Sequence, residues 1–257
     1  MKLLALDTST EQLSLAVQSG ERVWCHRGAG GAQASSRLIP EALGLLAQAD
    51  LRLAELDALV VARGPGSFTG LRTACAVAQG LAYGGACPVL GLDTLLALAP
   101  PVWTQDPNAT RVLAVLDARM QQVYAAAYEF LDGEWLAVVP PGLYDPGDLT
   151  LPAEWVGDPT VWIAGNAHPL LVEAPQVLLD PDGVARPHLN ILPDAQTLLQ
   201  LAPAALARGE AMRADALLPL YLRDKVALTT AERAALKARA ALAEAGSTPA
   251  PLQERAS

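Results

Sequence analysis

The stretch KLLALDTSTEQLSLAV, residues 2–17, is a short apolar run that ends on Asp7, turns through Thr8, Ser9 and Thr10, and resumes as an alternating segment. In that segment Leu13, Leu15 and Val17 fall on one side, the period of a half-buried strand. ERVWCHR, residues 21–27, alternates again, so the chain opens on a three-strand meander. The plan restarts at RVLAVLDARMQQVYAAAYEFLDGEW, residues 111–135. Aligned without gaps, Asp117 falls on Asp7, Gln122 on Gln12 and Val123 on Leu13, an offset of 110. Two like units at that spacing predict a duplicated α/β architecture with a cleft between two βββαβα-type halves, residues 1–108 and 109–228.

Working outward, a glycine-rich link leads to RLIPEALGLLAQAD, where Leu38, Ala42, Leu45, Leu46 and Ala49 share one helical face, with Pro40 near the first turn. DALVVAR then reads as a buried strand, residues 69–83 as a helix, CPVLGL as a strand and TLLALA as a short helix. The second unit is less regular. VVPPGLYDPGDLTLPAEWVGDP is Pro/Gly-rich loop, TVWIAGN a strand, and Asp194 starts a helix. Beyond 228, Thr229 and Glu232 form a capping box before an alanine-rich helix, and GSTPAPLQERAS has the composition of a disordered tail.

The 257 residues are 52% apolar, enough for a sizeable core, and carry a net charge of −9. With no basic run, such a chain lacks the face that holds a nucleic-acid backbone, so if it works on RNA something else must hold the RNA. Asp7 interrupts the first apolar run too early for a signal peptide, and no stretch is long enough to span a membrane. Cys25, Cys75 and Cys87 are odd in number and lack CxxC spacing, as expected of buried free thiols in a reducing cytoplasm.

ARGPGSFTGLR, residues 62–72, invites a phosphate reading. A P-loop needs Lys and Ser/Thr after its last glycine, whereas Leu71 and Arg72 follow Gly70. A dinucleotide fingerprint needs G-x-G-x-x-G after the first strand, and this loop has the wrong spacing in the wrong place. Ser67 or Thr69 is expected to cap the following helix, with Gly64, Gly66 and Gly70 shaping the loop. Actin-type duplicated folds grip ATP with a glycine-containing hairpin in each half. Here the hairpins, Asp7–Thr8–Ser9 and Asp117 to Arg119, contain no glycine, so both read as degenerate nucleotide loops. His26, His168 and His188 are far apart in sequence, and no metal site or catalytic cluster is expected.

In the helix TGLRTACAVAQGLAYG only Arg72 and Gln79 are strongly polar. A helix apolar nearly all round needs a second cover, either from its own chain or from another. The sequence reading assigns it to another chain, with Arg72, Ala74, Cys75, Ala78, Gln79, Leu81 and Ala82 as contacts, joined by Leu38, Ala42 and Leu45 of the preceding helix.

LALDTST, ARGPGSFTGLR, LDARMQQVYAAAY and YLRDKVA together resemble the bacterial TsaB family, from residue 1 to about 228. The resemblance implies an actin-like (ASKHA, RNase H-like) duplicated fold without the metal-binding histidines of the catalytic paralogue TsaD. It implies pairing with TsaD through helices of the first half, with the small ATPase TsaE joining the pair. TsaD transfers a threonylcarbamoyl group from threonylcarbamoyl-adenylate to the adenosine beside the tRNA anticodon. The expectation is a non-catalytic, cytoplasmic scaffold that is a homodimer in isolation. It binds no cofactor alone, with ATP or ADP and a metal left to the partner subunits. The rival expectation is a glycoprotease-like hydrolase or weak ATPase of the same fold. Many family members carry His before the first helix, where this chain has Ala34.

Overall fold

In the computed structural model, which describes residues 1–31 and 34–223, the chain builds two five-stranded sheets. The first contains β1 (Lys2–Asp7), β2 (Gln12–Ser19), β3 (Arg22–Ala29), β4 (Ala58–Gly64) and β5 (Val89–Asp93), in the order β3-β2-β1-β4-β5. The second contains β6 (Arg111–Asp117), β7 (Val123–Leu131), β8 (Glu134–Tyr144), β9 (Val161–Ala164) and β10 (His188–Leu189), in the order β8-β7-β6-β9-β10. Both place an antiparallel meander beside parallel strands, so the duplicated α/β fold is present in the topology.

Helices α1 (Ala34–Gln48) and α2 (Phe68–Gly85) cover one face of the first sheet. Its other face is covered by α5 (Ala195–Ala207), which follows the second sheet in sequence. Reciprocally, α3 (Ala99–Gln105) follows the first sheet and packs on the second. The halves thus exchange their closing helices. Leu4, Leu6, Leu59 and Val61 face α1 and α2, while Leu3, Ala5, Val60 and Ala62 face α5. Burial on both faces explains why these strands are continuously apolar rather than alternating. In the second half, 3-10 turns and the one-turn α4 (Pro175–Leu178) replace long helices between β8 and β10. Leu149, Leu151, Trp155, Leu171 and Val177 fill that face instead, consistent with a segment too rich in proline and glycine for a long helix.

The gapless alignment of the two hairpins slips by one position. Asp7 pairs with Ser14, whereas Asp117 pairs with Val123, so the second turn is one residue shorter. Asp7 continues the Leu3–Ala5 face, against the exchanged helix α5. Asp117 continues the Leu113–Val115 face, which is opposite the exchanged helix α3. A one-residue slip turns side chains to the other face, so the two aspartates are not structural counterparts.

Two smaller expectations are also revised. Helix α1 starts early enough that Pro40 lies inside it, on the exposed side. Cys25 is exposed, since it sits on strand β3 at the sheet edge, while Cys75 and Cys87 are buried. Met1–Leu222 pack as one compact unit. The boundary at 228 and the capping box at Thr229 and Glu232 lie outside the described residues.

Candidate functional site

Asp7 ends β1 with only 1% of its surface exposed. Its Oδ1 accepts the Ser9 N–H at 2.7 Å, while Oδ2 and the Ser9 hydroxyl are buried without a partner among the described residues. Burial pushes the carboxyl up from 3.8 to about 6, against the lowering effect of Ser9 beside it, and nearby Asp194 adds to the rise. Asp194 caps α5 by accepting the Gln196 N–H at 2.8 Å, and also accepts from Ser14 Oγ at 3.1 Å and Arg27 Nε at 2.6 Å. This network ties the first hairpin to the helix that returns from the second half.

The glycine loop closes on the same hairpin. Ser67 donates its N–H to the Ser9 carbonyl at 2.6 Å, and Thr8 Oγ1 donates to the Gly70 carbonyl at 2.8 Å. A Cβ on Gly66 would strike the Ser9 backbone and one on Gly70 the Thr8 backbone. At Gly64, φ is +128° and a Cβ would meet the Leu220 carbonyl. The loop's close approaches are therefore to its own chain. Ser67 caps α2 by accepting the Gly70 N–H at 3.3 Å, while Thr69 is exposed.

The second hairpin is built differently. Arg119, Met120 and Gln121 have φ of +64°, +56° and +59°, one left-handed turn without glycine. Each such residue costs about 1–2 kcal/mol. The turn is fixed by Arg119 N–H donating to Asp117 Oδ1 at 2.7 Å, Ala118 N–H to the Gln122 carbonyl at 2.9 Å, and Gln122 Nε2 to Asp145 at 2.9 Å. Asp117 N–H in turn donates to Asn166 Oδ1 at 2.9 Å. No residue of the first hairpin has positive φ. Glycine was the expected signal for an unusual turn, and its absence hid this one.

The stripe assigned to a partner faces inward. Leu38, Ala42, Leu45, Ala74, Cys75, Ala78, Leu81 and Ala82 all lie in the core between α1, α2 and the first sheet. The two polar residues are engaged as well. Arg72 donates through Nε to the Tyr221 hydroxyl at 2.8 Å and stacks 3.7 Å over the Phe68 ring, and Gln79 donates to the Leu217 carbonyl at 2.9 Å. The second cover on this apolar helix is the chain's own: the sheet, α1 and the segment 212–221.

What remains outward is a different stripe of the same helices. On α2 it runs through Ala76, Gly80, Tyr83 and Gly84, and on α1 through Ile39, Pro40, Leu43 and Gly44. Tyr83 is 88% exposed, Leu43 44% and Ile39 42%. Gly44, Gly80 and Gly84 have open space where a Cβ would stand. A helical glycine costs about 1 kcal/mol relative to alanine, and internal packing gives no reason for these three. The spacing of this stripe was visible in the sequence, but the more apolar stripe beside it drew the assignment.

Among the described residues, no group of three or more His, Cys, Asp or Glu side chains could hold a metal ion. His168 and His188 stack on each other with ring centroids 4.0 Å apart, and His26 approaches Glu41 at 3.0 Å. No described helix is long and apolar enough to cross a membrane.

The family model described as TsaD, tRNA N6-adenosine threonylcarbamoyltransferase, matches residues 30–231. Over 233 residues the chain is 35% identical to the tRNA threonylcarbamoyladenosine biosynthesis protein TsaB of Escherichia coli K12, covering 88% of this chain and 96% of that protein. It is 42% identical over 125 residues to the Haemophilus influenzae protein of the same name, covering 48% and 52% of the two chains. The solved structure of YeaZ from Pseudomonas aeruginosa superposes with a TM-score of 0.76 at 35% identity, covering 86% of this chain and 99% of that one.

Proposed function

The chain belongs to the TsaB family, and from that premise we propose that it serves in threonylcarbamoyladenosine biosynthesis on tRNA as a non-catalytic subunit, docked on a TsaD-type transferase. The docking surface is the outer faces of α1 and α2. The observation that carries this reading is the open space at Gly44, Gly80 and Gly84 beside exposed Ile39, Leu43 and Tyr83. Glycines without an internal role let another chain's backbone come close, and the neighbouring apolar side chains give it surface to bury. In isolation the same surface pairs two copies of the chain, and the transferase displaces one.

The chain alone binds neither nucleotide nor metal and turns over no ATP; those parts belong to TsaD and the recruited ATPase TsaE. With a net charge of −9, it meets tRNA in the cytoplasm only through the assembled complex. The test is Gly80→Arg, which places a long charged side chain where the partner must approach. Binding to a purified TsaD-type transferase, followed by sedimentation, should be lost while circular dichroism stays unchanged. Wild-type affinity in this variant refutes the surface. ATP turnover by the repurified chain that disappears on Asp7→Ala refutes the non-catalytic role.

A further inference from the structure

We infer that the left-handed turn Arg119–Gln121 is a second contact for the partner seated on α1 and α2, an inference that rests on the reading of those helices given above. Three consecutive L-residues hold a conformation that glycine adopts freely. Glycine would hold this turn without strain, so the turn carries the Arg, Met and Gln side chains at a conformational cost, as strained segments at functional surfaces do. These are presented outward: the Arg119 side chain is 75% exposed and Met120 is 44% exposed.

The position is continuous with the helical surface. Gly30, just before α1, donates its N–H to the Glu11 carbonyl at 2.8 Å, and Ser67 at the start of α2 donates to Ser9 at 2.6 Å. The first hairpin therefore lies at the N-terminal ends of both helices. Arg119 Nη2 reaches Glu11 Oε2 at 3.9 Å, which sets the turn against the outer tip of that hairpin. A partner covering α1 and α2 and extending past their N-termini meets Glu11 and then Met120. Glu11, Asp117 and Asp145 outnumber Arg119 along this edge, so the matching strip on the partner is basic around an apolar recess that takes the Met120 side chain.

The experiment measures melting temperature and affinity for a purified TsaD-type transferase, using the full chain and its Arg119→Gly, Met120→Gly, Met120→Ala and Gly80→Arg variants. Each glycine variant should melt higher by about 2–4 °C, as strain is released. Both Met120 variants should bind at least tenfold more weakly. Because Met120→Ala keeps an L-residue in the turn, its loss reports the side chain rather than loop flexibility. Wild-type affinity in both Met120 variants while Gly80→Arg abolishes binding overturns this inference and leaves the helical surface standing. Unchanged affinity in Gly80→Arg, or no binding by the wild-type chain, overturns the underlying reading as well.

Discussion

The carbonyl oxygen of Thr8 occupies the place where Gly70 would carry a Cβ. This contact, more than any ligand, accounts for the glycine at the start of α2. Gly70→Ala should cost about 3 kcal/mol or more, because both colliding groups are held by backbone. Gly80→Ala meets nothing within 4 Å and should instead stabilise the chain by about 1 kcal/mol. Urea unfolding of the two variants checks the contrast, and equal effects would contradict it.

Ala78 is fully buried between α2 and the first sheet. Ala78→Arg puts an unpaired charge and a long side chain into that core, and should abolish the fold rather than merely separate subunits. Circular dichroism is expected to show loss of structure in this variant and none in Gly80→Arg.

Asp7 gives stability an acid-side signature. Its folded-state pKa is raised from 3.8 to about 6, so the folded chain keeps a proton that the unfolded chain has released. Its contribution is complete below pH 3.8, declines as pH rises to about 6, and is flat above. Asp7→Asn removes this slope and should stabilise the chain at pH 7 by up to about 3 kcal/mol. Urea unfolding at pH 4.5 and pH 7 provides the comparison; an unchanged slope in Asp7→Asn would place the proton elsewhere.

His168 acts with the opposite sign. Burial and the neighbouring His188 hold its pKa below the usual 6.5. Its stabilising contribution is complete above that value and is lost as pH falls through it towards the lower folded-state pKa. His168→Phe keeps a ring against His188 and removes the titration. Thermal melts between pH 5 and pH 7 should then lose part of their acid-side decline.

Arg72, Phe68 and Tyr221 fasten the segment after α5 to the start of α2. Arg72→Ala removes one hydrogen bond and the cation–π contacts with the Phe68 and Tyr221 rings, and should destabilise by about 1–2 kcal/mol. Tyr221→Phe keeps the ring and should cost less. Chemical denaturation separates the two, and an equal loss would assign the whole effect to the hydroxyl.

By itself the sequence determined the local order of this protein. The apolar runs ending on Asp7 and Asp117 mark the first strand of each sheet, Ser67 and Asp194 mark helix starts, and the restart at residue 111 marks the duplication. These follow from periodicity and capping, which act over a few residues. Tertiary structure alone decided which face of α2 is satisfied within the chain. Periodicity shows that a stripe is apolar, not what lies against it. The cover comes from residues far along the sequence, with Gln79 bonded to Leu217 138 positions away and Arg72 to Tyr221 149 positions away. The left-handed turn at Arg119–Gln121 was hidden for a related reason. Local preference disfavours that conformation in all three residues, and it holds because Asn166 and Asp145, remote in sequence, bond the residues at its two ends. Propensity and period are properties of neighbours, whereas the choice between two apolar faces, and the support of a strained turn, depend on contacts that exist only once the sheets have formed.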